Sequence, residues 1–224
     1  MSTLYIVATP IGNLEDLSPR AERMLREVDI IICEDTRVTA KLCARFSIEK
    51  KLISYHAQSP EARMTEIVHF LREGKNMALV SDAGTPGIND PGGKLVERVV
   101  GTCGASVRII PIPGPSTVAT ALSISGFPAD RFVYLGFPPQ KKGREKFFKA
   151  LHEIHDTIVF LESTYRIMKA MASMSEAIPT RQIMVGRELT KMFETTYRGT
   201  PAEVTAALQS GTIKGEFVVV VRAY

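Results

Sequence analysis

The sequence predicts an α/β protein of two domains, the first on a mainly parallel sheet and the second on a mixed sheet. Three observations predict it. Short apolar runs alternate with helical patterns through the first half, the rhythm of a parallel sheet covered on both faces. The run Pro111-Ile112-Pro113-Gly114-Pro115 then breaks any regular element. Beyond it, strand-like segments are denser and less regularly spaced. A chain of 224 residues fits one large domain or two small ones. The proline run therefore marks a crossing between residues 1–113 and 114–224.

The first domain opens with Leu4–Ala8 as a buried strand. Ser18 and Pro19 form an N-cap and first-turn pair that starts a helix through Glu27. Ile30–Cys33 is a second strand and Leu52–Ser54 a weaker third. Ser59-Pro60 opens a helix that Gly74 stops. Met77–Val80 is a strand, Leu95–Val100 sits in a helix, and Val107–Ile110 is a strand that ends before Pro111. In the second domain Ser116 caps a helix rich in Ala, Ser and Thr. Phe132–Gly136, Thr157–Leu161, Gln182–Arg187 and Thr195–Arg198 are strand candidates. Thr200-Pro201-Ala202-Glu203 is a capping box with proline in the first turn, opening a helix that ends near Gly211. Glu216–Arg222 is a β-branched closing strand.

Composition narrows the function classes. Lys plus Arg is 28 against 24 for Asp plus Glu, a net charge of +4 that permits an anionic partner without requiring one. The longest apolar runs are too short to cross a bilayer. No Lys or Arg precedes Arg20, so a secretory leader is not expected. Cys33, Cys43 and Cys103 are odd in number and widely spaced, as in a reduced cytoplasmic protein. The four histidines lack metal spacing, and no metal site is expected. No G-x-G-x-x-G follows the first strand. Gly87–Lys94 departs from a phosphate-binding loop, because Lys94 comes one place late and Leu95 stands where Ser or Thr is required.

Four loops are more specialised than plain connectors, and each follows the C-terminus of a strand, where open α/β sheets bind ligands. They are Ala8–Leu14, Glu34–Arg37, Ser81–Gly92 and Pro113–Thr117. Their small residues let a ligand approach the backbone closely.

These loops carry a resemblance. With Val7 and Ile112 leading into the first and last of them, and with Gly186-Arg187-Glu188-Leu189-Thr190-Lys191 and Lys214-Gly215-Glu216-Phe217, they make six ordered motifs, in a resemblance that runs from Leu4 to about Val221. The chain resembles the tetrapyrrole-methylase superfamily of S-adenosylmethionine-dependent methyltransferases. Within it, the chain is most similar to the ribosomal RNA small subunit methyltransferase I branch, which methylates a cytidine ribose 2′-hydroxyl of 16S rRNA. The resemblance implies two α/β domains with the cofactor in the cleft between them, the first carrying cofactor and substrate loops and the second completing the cleft. It also implies a homodimer. It places Pro10, Ala83, Gly84, Thr85, Ile88, Ser116, Thr117 and Leu161 around S-adenosylmethionine. Leu161, Tyr165 and Pro138 depart from common family choices. The resemblance also implies a C-terminal extension in many relatives, beyond the position that Tyr224 holds here.

The expected activity is 2′-O-methylation of a cytidine in 16S rRNA within the small ribosomal subunit, in the cytoplasm, with neither DNA nor a membrane as partner. A tetrapyrrole C-methyltransferase and a non-enzymatic RNA- or nucleotide-binding module are the alternatives. A ribose hydroxyl is a poor nucleophile, so a base or cation should assist it. The candidates are Asp35 or Glu188 as proton acceptor and Lys191 for the developing alkoxide. Arg37 and Arg187 would hold neighbouring phosphates through their guanidinium forks. Lys141, Lys142 and Arg144 open a cationic run that either contacts RNA phosphates or is a solvated helix face.

Overall fold

The computed structural model describes residues 1–224 as two compact units, Met1–Ser116 and Thr117–Tyr224. The first contains β1 (Ser2–Val7), α1 (Pro19–Glu27), β2 (Ile30–Cys33), α2 (Thr36–Arg45), β3 (Lys51–Ser54), α3 (Glu61–Arg72), β4 (Met77–Leu79), α4 (Gly92–Cys103) and β5 (Val107–Ile112). Its five strands are all parallel, in the order β3-β2-β4-β1-β5. Alternation along β2 splits the core. Ile30 and Ile32 meet α3 and α4 residues such as Ile67, Leu71, Leu95 and Val99 on one face. Ile31 and Cys33 meet Ala21, Leu25, Leu42 and Cys43 of α1 and α2 on the other.

The caps follow the sequence. Ser18 accepts the Ala21 N–H with Pro19 in the first turn of α1. Gly74, at φ 90°, closes the end of α3. Ser59 does not cap α3; its hydroxyl accepts the His56 N–H at 2.9 Å instead. The fifth strand also corrects the sequence reading. It continues through Pro111, which stands opposite Ile6. An edge strand tolerates proline because one row of its N–H groups has no ladder partner to lose, and β5 is an edge.

The second unit contains α5 (Thr117–Ser125), β6 (Phe132–Tyr134), α6 (Arg144–Ala150), β7 (Thr157–Ser163), α7 (Ile167–Ala177), β8 (Ile183–Arg187), β9 (Thr195–Gly199), α8 (Pro201–Gln209) and β10 (Glu216–Val221). Its sheet has the order β6-β7-β10-β8-β9, with β6 parallel to β7 and every other pair antiparallel. The β-branched run of β10 is central and buried from Phe217 to Val221. Val219 and Val221 face Phe148, Met171 and Leu208, while Val218 and Val220 face Ala121 and Leu122 of α5. The expected capping box is present: Thr200 accepts the Glu203 N–H, and the Glu203 carboxylate accepts the Thr200 N–H. No helix in either unit is long and apolar enough to cross a membrane.

Candidate active site

In the first unit, α1 follows β1 onto one face of the sheet, and α4 follows β4 onto the other. Because β1 and β4 are neighbours, the chain leaves them in opposite directions and a crevice opens at their C-terminal ends. The loops after these strands are bonded across it. Thr9 and Gly84 exchange backbone hydrogen bonds of 2.9 and 3.0 Å. The Thr9 hydroxyl donates to the Ser81 carbonyl at 3.1 Å, and the Thr85 hydroxyl donates to the Pro115 carbonyl at 3.1 Å. Asp90 ties the long loop to its helix, its carboxylate accepting the N–H groups of Gly87 and Gly92 at 2.9 and 2.7 Å.

Two glycines are required there. Gly84 has φ 83°, and a Cβ on it would lie 3.3 Å from the Ile11 side chain. A Cβ on Gly114 would lie 3.0 Å from that of Ala8. The loops expose backbone rather than large side chains. Ala83 and Gly87 are exposed, the Ala83 and Thr85 N–H groups make no bond within the chain, and Ile88 is 47% exposed. Beside them is a cavity of about 360 Å³, lined by Thr9, Pro10 and Leu14, by Val38, Lys41 and Leu42 of α2, and by Ser81 and Asp82.

Carboxylates at this edge have unlike environments. Asp35 is the N-cap of α2, accepting the Arg37 N–H at 2.8 Å and its guanidinium at 2.6 Å. The Arg37 hydrogen bonds hold its carboxyl down at about 2. Glu34, half-buried next to it, goes the other way: burial first, then the charges of Asp82 and Asp90, push its pKa up.

In the second unit two motif segments, residues 186–191 and 214–217, converge at one end of the sheet. The Glu188 carboxylate accepts the Lys191 ammonium at 3.0 Å and the Glu216 N–H at 2.8 Å. Lys191 also reaches the Glu216 carboxylate at 3.0 Å. Burial acts to raise the Glu188 pKa, but the Glu216 N–H and Lys191 outweigh it and the net direction is down. Burial likewise opposes the Lys191 charge, and its two carboxylate partners prevail and raise its pKa. Gly215 makes this possible, since a Cβ there would lie 2.5 Å from Glu188 Cγ. The loop is strained: Glu188 and Thr190 are non-glycine residues at φ 52° and 67°. Left-handed backbone of this kind costs roughly 1–2 kcal/mol per residue. The Thr190 hydroxyl is buried with no hydrogen-bond partner. Such features cluster at functional sites.

The family pattern for tetrapyrrole (corrin/porphyrin) methylases matches residues 3–205. The chain belongs to the tetrapyrrole methylase family. Among its relatives, a protein of Bacillus subtilis called ribosomal RNA small subunit methyltransferase I is 43% identical, the match covering 99% of this chain and 75% of that one. A Thermotoga maritima protein of the same name is 40% identical over 98% of both chains. Solved structures share the fold at lower identity. A diphthine synthase superposes with a TM-score of 0.74 at 13% identity, covering 99% of this chain and 90% of that one. The Thermus thermophilus uroporphyrin-III C-methyl transferase complexed with S-adenyl homocysteine superposes at 0.65 and 16% identity, covering 99% and 97%.

In this tetrapyrrole methylase, the first unit's loops bring Pro10, Ala83, Gly84, Thr85 and Ile88 to one sheet edge, with Pro115 bonded to Thr85 and Ser116 ending the unit. Thr117 begins α5. Leu161 lies within β7, half-buried against a core that includes α5 residues. The arginines and lysines differ in their engagements. Arg37 is bound to Asp35 with its side chain exposed. Arg187 is buried and donates to the carbonyls of Lys214 and Phe193 at 2.6 and 3.1 Å. Arg144 is bonded to the buried Glu162 at 2.8 Å, whereas Lys141 and Lys142 are exposed. The burial of Glu34 and the unpartnered hydroxyl of Thr190, both inside motifs, emerge only in three dimensions. No sequence pattern distinguishes Glu34 from its neighbour Asp35; burial does.

Proposed function

We propose that this chain is an S-adenosylmethionine-dependent methyltransferase that methylates the ribose 2′-hydroxyl of a cytidine in 16S rRNA, within the small ribosomal subunit, in the cytoplasm. The observation that carries this reading is the joining of the β1, β4 and β5 loops beside a ligand-sized cavity, in a chain with relatives named for the small-subunit rRNA. The residues fit the cofactor. Unpaired Ala83 and Thr85 N–H groups suit its polar end, the exposed Ile88 side chain suits adenine, and the Glu34 carboxylate suits a cationic sulfonium centre. Thr117 and Leu161 enter as cofactor contacts on the family resemblance.

When bound, the cofactor supplies an electrophilic methyl group. Transfer would form the O2′–CH₃ bond and release S-adenosylhomocysteine, and the hydroxyl proton would need an acceptor among the chain's residues. The chain's residues align the oxygen and accept that proton. Glu34 joins Asp35 as an acceptor candidate, since burial raises its pKa while the Arg37 hydrogen bonds lower that of Asp35. Lys191, held by Glu188 and Glu216, offers a fixed positive charge for the alkoxide, with Glu188 as its positioning partner. Lys141 and Lys142 are free for RNA phosphates, whereas Arg144 and Arg187 support the framework.

The test offers labelled S-adenosylmethionine with two acceptors in turn: small subunits lacking the modification, and a uroporphyrinogen. Label in rRNA alone supports the proposal. Label in the tetrapyrrole alone assigns the chain to corrin or porphyrin chemistry. Tight cofactor and RNA binding without transfer makes it a binding module.

A further inference from the structure

We infer that the cavity between α2 and the loops after β1 and β4 seats the base of the target cytidine, with Asp82 reading its exocyclic amino group. The inference rests on the cytidine reading above and adds to it a recognition site and a specificity residue.

The cavity belongs wholly to the first unit, and its volume of about 360 Å³ lies in the range of small-molecule pockets. Pro10, Leu14, Val38 and Leu42 give it apolar walls. Such walls suit the faces of an unstacked base, and single-stranded RNA is commonly read by packing a splayed base and bonding its Watson–Crick edge. The polar groups are few, as orientation requires. Asp82, exposed at the cavity's rim, accepts the Asp35 N–H through Oδ1 at 3.1 Å, which orients the carboxylate and leaves Oδ2 without a partner in the chain. A carboxylate accepts from the cytosine amino group. Uracil presents a carbonyl oxygen at the same place, so a fixed carboxylate repels it, and discrimination gains a repulsive element as well as an attractive one. Lys41 lines the cavity from exposed α2 with no ion pair or hydrogen bond in the chain, placed for a flanking phosphate. Pro10 both borders the cavity and belongs to the loop proposed to hold the cofactor, so an occupant lies beside the methyl donor's loop.

The test uses the full chain, small subunits lacking the modification, and subunits reconstituted with uridine at the methylated position. Wild type should methylate cytidine well above uridine. Asp82→Asn keeps an acceptor for the Asp35 N–H but adds an amide donor. It should slow cytidine turnover roughly ten- to hundredfold, the worth of one charge-assisted hydrogen bond, and narrow the cytidine-to-uridine ratio. Leu14→Trp fills the cavity and should abolish transfer to RNA. S-adenosylhomocysteine affinity by calorimetry should be unchanged in both variants, which also shows that they fold. Lys41→Ala should raise KM without changing the base ratio. An unchanged ratio in Asp82→Asn overturns the inference. So does a parallel loss of S-adenosylhomocysteine affinity in Leu14→Trp, which would give the cavity to the cofactor. Absence of any 2′-O-methylcytidine from wild type would instead bring down the proposed function, and this inference with it.

Discussion

Asp35 and Glu34 are chain neighbours with opposite fates. Arg37 stabilises the charged form of Asp35, so folding lowers its pKa. The stability this confers is complete above the unfolded value, about 3.9, and is lost as pH falls toward the folded value of about 2. Asp35→Asn should therefore destabilise the chain at pH 7 and become neutral near pH 2, as read by urea unfolding across pH. Glu34 has the reverse sign. Its folded pKa is raised, so its charge opposes folding above that pKa and the penalty fades on acidification. Glu34→Gln should raise the melting temperature at pH 7 while lowering turnover by roughly 10²–10⁴-fold, the worth of a positioned base. Single-turnover rates at saturating small subunits check this. A full rate in Glu34→Gln would leave alignment alone to drive the transfer. Motif reading brings out Asp35, whose partner is two residues away. Glu34 escapes it because its environment is made by burial first, then by Asp82 and Asp90, which are distant in sequence.

The strand reading succeeds wherever apolar residues are continuous, as in β2, β4 and β10. Three helices carry weaker signals. Helix α2 buries only Thr39, Leu42 and Cys43, a short stripe with one large apolar residue, and α6 buries only Phe148 among cations. Helix α7 has a fuller stripe, Ile167, Ala170, Met171 and Met174, behind the strand-like run of β7. The α6–β7–α7 region also holds a buried ion triad. Glu162, with no side-chain exposure, is bonded to Arg144 and Arg166 at 2.8 Å each. Breaking a buried pair from one side costs about 3–5 kcal/mol. Glu162→Ala should cost about that much by chemical denaturation, and Arg144→Ala should lose stability as well as charge. The RNA test at this surface is thus Lys141→Ala with Lys142→Ala, leaving Arg144 intact. It should weaken RNA binding and flatten its salt dependence by about one unit of slope for each phosphate no longer neutralised. An unchanged slope would make the run a solvated face. At the same end of the second sheet, where Phe217 pairs with both Glu162 and Arg187, Gly215→Ala should displace Glu188 and lower turnover with cofactor affinity retained.

At the scale of the whole molecule, the proline run and the change from parallel to mixed sheet make the two-unit plan readable in the sequence. The six motifs carry the family. What could not be read from them was which motif residues build loops and which remain free, because that depends on partners such as Glu216 for Lys191 and Lys214 for Arg187. We propose a homodimer, and sedimentation at micromolar concentration should give about twice the 24.7 kDa chain mass; a species at the chain mass would contradict it. The central claim concerns one atom of one nucleotide. Small subunits lacking the modification should be incubated with the chain and S-adenosylmethionine, and their 16S rRNA digested to nucleosides for mass spectrometry. The account predicts a single new product, 2′-O-methylcytidine, absent when the donor is omitted. Methyl groups on a base, on another nucleoside or nowhere in the rRNA would contradict it.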